Sequence, residues 1–584
     1  MSEMKKTVII VALLAATVGI KAQQGNETYN ESVVVKGSYT PVIEQAEKIS
    51  FPAQITDTLS RMEHAFHYNI SPSRLRASYT PTRIRAARVV GEPATKLYNN
   101  YLRLGMGNYW SPLADLYWSS TRDRLKTYGI SLNHRSSWDK LKDYGPNQFG
   151  NTNLKLFGKY IVGDVLQLAS DVSYEHDHNL YYGFTDSTLQ AMLGQTRSDL
   201  SLGDYRASYN VVTWNVGVRN MELDANKLGY TANLRLGDLW GRWGQNEMNL
   251  NLNGDVHYGF PLMRQYKGIA YLHAEWDFYR NLYGNGTMPL GYAPIVFVTA
   301  PALDTSTGSI LKFNPYVEFL FRGLQFRTGA TVAWDYYSNR GAAAVGRIFP
   351  DVTVSKKLMN DNLVLSLAAI GGMEATSLNA IRLINPYVAP DYTPMATSHY
   401  DFVFHTRWTL SRKLEANAEV SYSLLDNEQA YLLATDFTLN NVYDVYGVKV
   451  NRLTVGGDVA FVNDEMIAIR AGGHYYHNDA SQMVGPGHLY RPDWDALVRV
   501  DLNYHYKWFF HLAGQLLGRV DADGGETLPM RYGVDAQVEY RHNRALSFFL
   551  QADNLAFQRY WYWSNYPSQR GLFLLGLTYT IPGK

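Results

Sequence analysis

The sequence contains no cysteine, which excludes disulfide bonds and lipid attachment through an N-terminal cysteine. Beyond the N-terminus it has no apolar run of roughly 18 residues, which excludes transmembrane helices. The net charge is only +1, so no strong field attracts nucleic acid. Gly-x-Ser-x-Gly elbows, phosphate-binding loops and zinc-binding helix motifs are missing as well. We therefore expect a chain that is not an enzyme, holds no cofactor and binds no nucleic acid.

Aromatic residues are abundant instead, at 14% of the chain, and 44 of the residues are tyrosines. A tyrosine ring sits in an apolar layer while its hydroxyl group reaches the lipid headgroups, so tyrosine suits a membrane interface. The composition therefore favours a protein that contacts membrane lipid.

The N-terminus predicts a secretory signal peptide over residues 1–22. Lys5 and Lys6 precede an apolar run from Val8 to Ile20, and Ala22 provides a small residue for cleavage. This run is shorter than the ~20 residues of a transmembrane helix, which argues against a retained anchor. We expect Sec-type export and a final location in the outer membrane of a Gram-negative cell.

Strict alternation of apolar and polar residues recurs from about Tyr98 to the C-terminus. The clearest segments are 402–410, 414–424, 498–506 and 534–540. Successive side chains of a strand point to opposite faces, so each segment has one apolar and one polar face. A soluble antiparallel sheet would show the same pattern, but no helical segments remain to cover so many apolar faces. The pattern predicts an all-β transmembrane antiparallel barrel of about 20–22 strands.

Connections between the alternating segments are of two kinds, short polar turns and longer loops rich in Gly, Asp and Asn. The short ones include 321–324, 411–413, 463–465, 506–508 and 541–544. The long ones include 136–151, 186–203, 376–397, 478–493, 521–528 and 556–569. In outer-membrane barrels short turns lie in the periplasm and long loops lie outside. A barrel this wide needs a lumen filled by water or by a plug.

The C-terminal segment resembles the last hairpin of TonB-dependent receptors. It reads Asp553 to Tyr560, then Tyr566-Pro567, Arg570-Gly571 and a closing strand from Leu574 to Ile581. At the end Ile581 replaces the family's usual terminal aromatic residue. The resemblance implies a receptor-like barrel that is inserted by the barrel assembly machinery.

Near the predicted mature N-terminus, a valine-rich segment resembles the TonB box of the same family. Its residues are Glu31, Ser32, Val33, Val34 and Val35. The resemblance implies contact with TonB, although a plain strand would have the same composition. Residues 23–95 form an N-terminal arm that is shorter than the family's globular plug. We therefore expect a plugless relative, with the barrel spanning residues 96–584.

Part of the arm, from Ser71 to Arg88, combines five arginines with Pro72 and Pro81. Such a basic, proline-containing segment is poorly suited to regular structure. Either it lies in the lumen against acidic wall residues or it is a solvated periplasmic arm.

Two groups of residues are candidates for functional sites. Polar residues of the alternating segments are expected to line the lumen: Arg407, Glu415, Glu419, Arg499, Asp501, His505, Asp535, Gln537 and Glu539. Aromatic residues near the C-terminus are expected at the outer mouth, as a platform for flat ligands or as part of the interfacial girdle: Tyr560, Trp561, Tyr562 and Trp563. His176 and His178 have a chelating spacing, but strand-end histidines are commoner, so no metal site is expected.

The function predicted from these features is transport of an unidentified solute through a polar lumen, with possible coupling to TonB. The alternative is a structural or assembly barrel that anchors a partner protein, such as a surface lipoprotein, through its arm and loops. Transport predicts growth loss on one solute and no stable partner, whereas anchoring predicts no conductance and a stable co-purifying protein.

Overall fold

The computed structural model describes residues 98–582 together with Thr7 and Val8. Its gaps are 121–122, 124, 164, 222–226, 264–265, 284–304, 338–343, 391, 393, 435–438, 464–465, 480–488 and 523–524. The predicted arm and the TonB-box-like segment Glu31 to Val35 lie outside the described residues. The predicted absence of a full plug also concerns residues outside the described ranges.

The described chain forms a closed barrel of 22 antiparallel strands. The strands are β1 Tyr98–Gly107, β2 Ser111–Ser119, β3 Lys126–Ser137, β4 Phe149–Val162, β5 Leu166–Leu180, β6 Arg206–Asn220, β7 Gly229–Gly241, β8 Gln245–Met263, β9 Tyr266–Tyr283, β10 Thr305–Phe321, β11 Leu324–Tyr337, β12 Val345–Leu358, β13 Leu363–Thr376, β14 Met395–Ser411, β15 Leu414–Leu433, β16 Tyr443–Asn463, β17 Ile467–Asp479, β18 Trp494–Tyr504, β19 Trp508–Leu517, β20 Arg531–Arg541, β21 Leu546–Asp553 and β22 Leu572–Pro582.

Each strand pairs with the next one along the chain, and β22 pairs with β1 to close the barrel. Closure satisfies the backbone groups of both edge strands, which a membrane-spanning sheet requires. The structure therefore confirms the predicted fold and the upper end of the predicted strand count. A two-residue strand, Thr7–Val8, also pairs with Tyr476 and His477 of β17.

Alternation along β15 shows why the wall has two different faces. Val420, Tyr422 and Leu424 are exposed on one face, whereas Ser421 and Ser423 are buried on the other. Side chains that lie opposite each other in neighbouring strands share a face, so the pattern continues around the barrel. The apolar face is the outer, lipid-facing surface, and the polar face lines the lumen.

Short turns follow the even-numbered strands and long loops follow most odd-numbered strands, so the long loops lie together at one end of the barrel. The short connections after β1 and β7 also lie at that end. One difference from the sequence prediction occurs after β18. The alternation predicts that the strand includes His505, but His505 lies in the turn together with Tyr506, with φ of 53° and 56°. The tight reversal into β19 at Trp508 requires this left-handed backbone.

Two short helices lie in the long loops: α1 Asp186–Leu193 follows β5, and α2 Leu378–Ile384 follows β13. Each helix begins with a side-chain cap. The Thr188 N–H donates to the Thr185 hydroxyl oxygen, and the Ala380 N–H donates to the Ser377 hydroxyl oxygen. Among the described residues, no helix is long and apolar enough to cross a membrane.

Candidate functional site

The predicted lumen residues other than His505 share the polar face of the barrel wall. In β14 and β15, Thr409 lies opposite Glu415, Arg407 opposite Asn417 and His405 opposite Glu419. The face continues through Ala460 and Arg470 to the β18 and β20 candidates. The candidates that lie on this face are Arg407, Glu415, Glu419, Arg499, Asp501, Asp535, Gln537 and Glu539.

Near the seam, polar lumen residues form direct contacts around Arg103 of β1. The Arg103 guanidinium donates to Gln537 Oε1 at 3.2 Å and to Gln551 Oε1 at 3.0 Å. It also lies 4.2 Å from the ring centroid of Phe549. These bonds to β20 and β21 join side chains across the closing strand pair, so they reinforce barrel closure as well as lining the lumen.

The long loops pack together into a buried cluster, here called the loop core. It lies at the end of the barrel where the odd-numbered strands finish. Its members come from the connections after β3, β5, β7, β13, β15, β17, β19 and β21, with adjoining strand ends. These loops follow eight of the eleven odd-numbered strands, so their common cluster extends over the mouth of the barrel.

Tyrosine dominates the loop core, and its hydroxyl groups bond to backbone carbonyls. Tyr181 donates to Val388 O at 2.7 Å, and Tyr443 donates to Ser564 O at 2.9 Å. The rings of Tyr387 and Tyr566 stack at an interplanar angle of 10°. Such groups supply apolar area and satisfy loop carbonyls at once. The loop core is therefore an ordered lid rather than a loose set of loops.

Of the predicted aromatic residues, one lies inside the loop core and the others lie at its surface. Trp563 is 7% exposed and packs against Tyr431, Tyr443 and Tyr490. A girdle or stacking platform requires an accessible ring, so for Trp563 the structure replaces both interpretations with a place in the loop core. Tyr562 is exposed. Tyr560, Trp561 and Tyr562 lie beside this core, where the Arg531 guanidinium stacks 4.2 and 4.3 Å from the Tyr560 and Tyr562 rings.

Helix α2 reaches across the lumen from β13 to the wall at β5. Its Arg382 donates to Asp177 Oδ2 at 2.6 Å and to Glu175 Oε1 at 3.1 Å. The Arg382 side chain is only 5% exposed. Since β5 and β13 are far apart around the barrel, this ion pair joins opposite parts of the wall through the interior. We call it the lumen bridge.

A second wall carboxylate holds the other end of α2. Glu247 of β8 accepts from the Leu378 N–H at 2.6 Å and from the Asn379 N–H at 3.3 Å. Amide groups at a helix start have no partner within the helix. A carboxylate accepts hydrogen bonds from them, and its negative charge is stabilised by the positive end of the helix dipole. The two ends of α2 are thus fixed to different wall strands.

The charge of Arg382 is maintained by its partners. Burial alone disfavours the cation, but the Asp177 and Glu175 carboxylates outweigh burial and raise the pKa of Arg382 above its usual range. In the loop core, burial raises the pKa of Tyr387 to about 12. Both groups therefore keep their neutral-pH charge state, with Arg382 ionised and Tyr387 uncharged.

A further buried ion pair network holds the loop after β17. Glu428 of β15 accepts from Arg452 at 3.0 Å and lies 2.6 Å from Arg491. Arg452 is 1% exposed and also donates to Asn478 Oδ1 at 2.9 Å. One carboxylate thus ties two strands and a loop together near the mouth.

Sequence reasoning singled out residues 175–178 for their histidines, but the carboxylates of this segment make the functional contact. Glu175 and Asp177 point into the lumen, whereas His176 bonds to Asn210. Two acids at alternate positions, and so on one face of a strand, were a usable signal. Their partner Arg382 carried no comparable signal. Among the described residues, no group of three His, Cys, Asp or Glu is placed to hold a metal ion.

Comparison with known proteins shows similarity in structure only. No family model matches the sequence, and no curated protein matches it. Among solved structures, the siderophore receptor PirA from Acinetobacter baumannii superposes with a TM-score of 0.60 at 10% identity, covering 84% of this chain and 81% of that one.

Two further solved structures agree with this result. The ferric-catecholate import receptor Fiu from E. coli K12, in its closed form, has a TM-score of 0.58 at 13% identity over 83% of this chain and 82% of that one. The ferric enterobactin receptor PfeA from Pseudomonas aeruginosa has a TM-score of 0.57 at 12% identity over 82% and 81%. The chain therefore has the fold of outer-membrane receptor barrels.

Proposed function

We propose that this protein is an outer-membrane transporter for a polar solute, with the loop core and α2 acting as the gate at its outer mouth. The observation that carries this proposal is the lumen bridge, an ion pair across the inside of a wide polar barrel. A helix tied to the wall at both ends obstructs the lumen, and a few polar contacts are enough to hold or release it.

The solved receptors that share this fold support the proposal, since Fiu is a ferric-catecholate import receptor and PirA is a siderophore receptor. The solute of the present chain is left open by that likeness. Coupling to TonB is part of the proposal through the TonB-box-like segment Glu31 to Val35, with residues 23–95 as a periplasmic or lumenal arm. The proposal assigns no catalytic activity to the barrel.

Single-channel conductance of the mature protein in planar bilayers tests this function. Four forms are compared: the intact chain, a variant lacking residues 23–95, a variant with residues 378–390 replaced by a short Gly/Ser linker, and the combination of both. Loss of α2 removes the lumen bridge, so we expect frequent opening in the α2 variant or, if the arm also occludes the lumen, only in the combined variant.

The outcomes separate transport from the alternative role. Conductance that needs removal of both segments identifies two successive gates, and conductance with α2 removed alone identifies a single outer gate. A barrel that is silent in all four forms contradicts transport. A stable protein that co-purifies with such a silent barrel would instead support the anchoring role, with a surface lipoprotein as the natural partner.

A further inference from the structure

A cavity of about 580 Å³ lies on the polar face of strands β5 to β10, and Glu374 of β13 completes it. This volume falls within the roughly 300–1,000 Å³ of small-molecule sites. Its lining is rich in asparagine side-chain amides, which come from three adjacent strands. The asparagines are Asn215, Asn233, Asn249, Asn251 and Asn253.

Three of these amides form a connected row. Asn233 donates to Asn253 Oδ1 at 2.9 Å, and Asn253 donates to Asn251 Oδ1 at 2.6 Å. Asn251 donates in turn to Glu275 Oε1 at 2.8 Å. The row fixes the orientation of each amide in advance, so a ligand meets groups that are already positioned.

Unused hydrogen-bonding capacity remains along the row. An amide side chain offers two N–H donors and an oxygen with two lone pairs. Asn251 donates to both Glu275 and Asp277, but the bonds of Asn233 and Asn253 use only part of their capacity. Beside the row, the Nδ2 of Asn249 is buried and has no hydrogen-bond partner among the described residues. A buried donor of this kind favours a ligand that supplies an acceptor.

The chemistry of the cavity matches hydroxyl groups, because a hydroxyl both donates and accepts. Asparagine can serve either role, and the carboxylates accept strong bonds from hydroxyl donors. We infer that this cavity binds a neutral polyhydroxylated solute, a small saccharide by chemical class. This inference rests on the proposed transport function, whose solute it specifies.

The charges in the cavity argue against an anionic ligand. Four carboxylates line it, from Asp171, Glu275, Asp277 and Glu374, but only Arg235 and Lys312 supply cations. The Lys312 Nζ is already engaged, at 2.9 Å from Glu275 and 3.6 Å from Asp277. Excess negative charge in a lumen repels anions, so phosphorylated sugars and anionic chelates are disfavoured.

The position of the cavity links it to the gate. Glu374 and Ala375 line the cavity, and Ser377, which caps α2, follows two residues later. On the opposite wall, Glu247 binds the start of α2 and shares a strand face with Asn249. A solute in the cavity therefore lies beside Ser377 and Glu247, the two residues whose side chains bind the start of α2.

Isothermal titration calorimetry of the purified full-length mature barrel tests the site. The probes are maltose, lactose and raffinose, together with glucose and glucose 6-phosphate, a pair that differs by one anionic phosphoryl group. We expect at least one saccharide to bind in the millimolar range and glucose to bind more tightly than its phosphate. The double variant Asn233→Leu/Asn249→Leu should weaken binding by about tenfold, because two hydrogen-bonding groups are lost.

Asn417→Leu is the matched control, since Asn417 lies on the polar face of β15 outside the cavity and bonds to Asp458. It should leave affinity unchanged. If the double variant fails to fold, Asn249→Leu alone is used, because its amide nitrogen has no partner to lose.

The inference is overturned if none of the saccharides binds, if glucose 6-phosphate binds as well as glucose, or if the cavity variants leave affinity unchanged. Binding is measured without transport, so the two proposals fail separately. Saccharide binding by a barrel that never conducts would contradict transport alone. Conductance without saccharide binding would contradict the site alone.

Discussion

Arg382 and Asp177 meet at 2.6 Å although they belong to opposite parts of the barrel, one to the helix after β13 and the other to strand β5. The bond spans the lumen and leaves the arginine almost fully buried. A buried cation is stable only beside compensating charge. The position of α2 in the lumen therefore depends on the wall carboxylates, and this dependence can be tested directly.

Arg382→Met should release the helix. Breaking a buried ion pair by removing one partner costs roughly 3–5 kcal/mol, because the remaining charges lose their partner. We expect a higher open probability in planar bilayers, and faster proteolysis of the 377–394 loop. Arg412→Met, in an exposed turn at the opposite end of the barrel, is the control and should change neither quantity.

A neutral combination sharpens this test. When Glu175→Gln and Asp177→Asn are added to Arg382→Met, no unpaired charge remains, and part of the helix docking should return. A triple variant that opens as often as the single variant would show that the ion pair does not set the gate.

The lid should loosen at alkaline pH. Burial raises the pKa of Tyr387 to about 12, against about 10 for a tyrosine in an unfolded chain. The packing of its neutral ring is fully stabilising below pH of about 10, and this contribution is lost as pH rises through about 12. Absorbance titration near 295 nm should show Tyr387 ionising late, as the difference between the wild type and Tyr387→Phe. An early, ordinary titration of that residue would refute the buried assignment.

Trp563→Ala should weaken the lid far more than Tyr562→Ala. Trp563 is 7% exposed and Tyr562 is 51% exposed, although they are neighbours. Removing a buried tryptophan side chain costs about 3–5 kcal/mol through lost burial and the cavity left behind. Hydrogen exchange of the loop amides near Tyr443 and Tyr490 is the measurement. Equal effects of the two substitutions would contradict the loop core as described.

Glu428→Gln should destabilise the mouth, because Arg452 and Arg491 would then share no carboxylate. The loss of a buried charge partner corresponds to roughly 3–5 kcal/mol. Thermal unfolding followed by circular dichroism should reveal a lower midpoint than for Glu415→Gln, a change on the same strand at a less buried carboxylate. Identical midpoints for the two variants would argue against a structural role for the cluster.

The sequence pattern predicted strands most reliably where alternation was long. Residues 402–410 and 414–424 became the core of β14 and β15, because lipid on one side and water on the other impose a period of two. The prediction ran too far at His505, since alternation carries no information about where a tight turn begins. The prediction also gave Trp563 the same role as its aromatic neighbours. A local run of aromatic residues does not show which ring other loops will cover.

The sequence by itself determined that the chain closes into a membrane barrel, that the strands number about 20–22, and which residues of the clearest alternating segments, apart from His505, face the lumen. These are local properties, set by side-chain periodicity and by the need to pair every backbone group in lipid. Only the tertiary structure decided that Arg382 meets Asp177 and Glu175, and that distant loops share one tyrosine-rich core. Such contacts join residues that are remote along the chain, and they depend on barrel closure bringing opposite walls within reach.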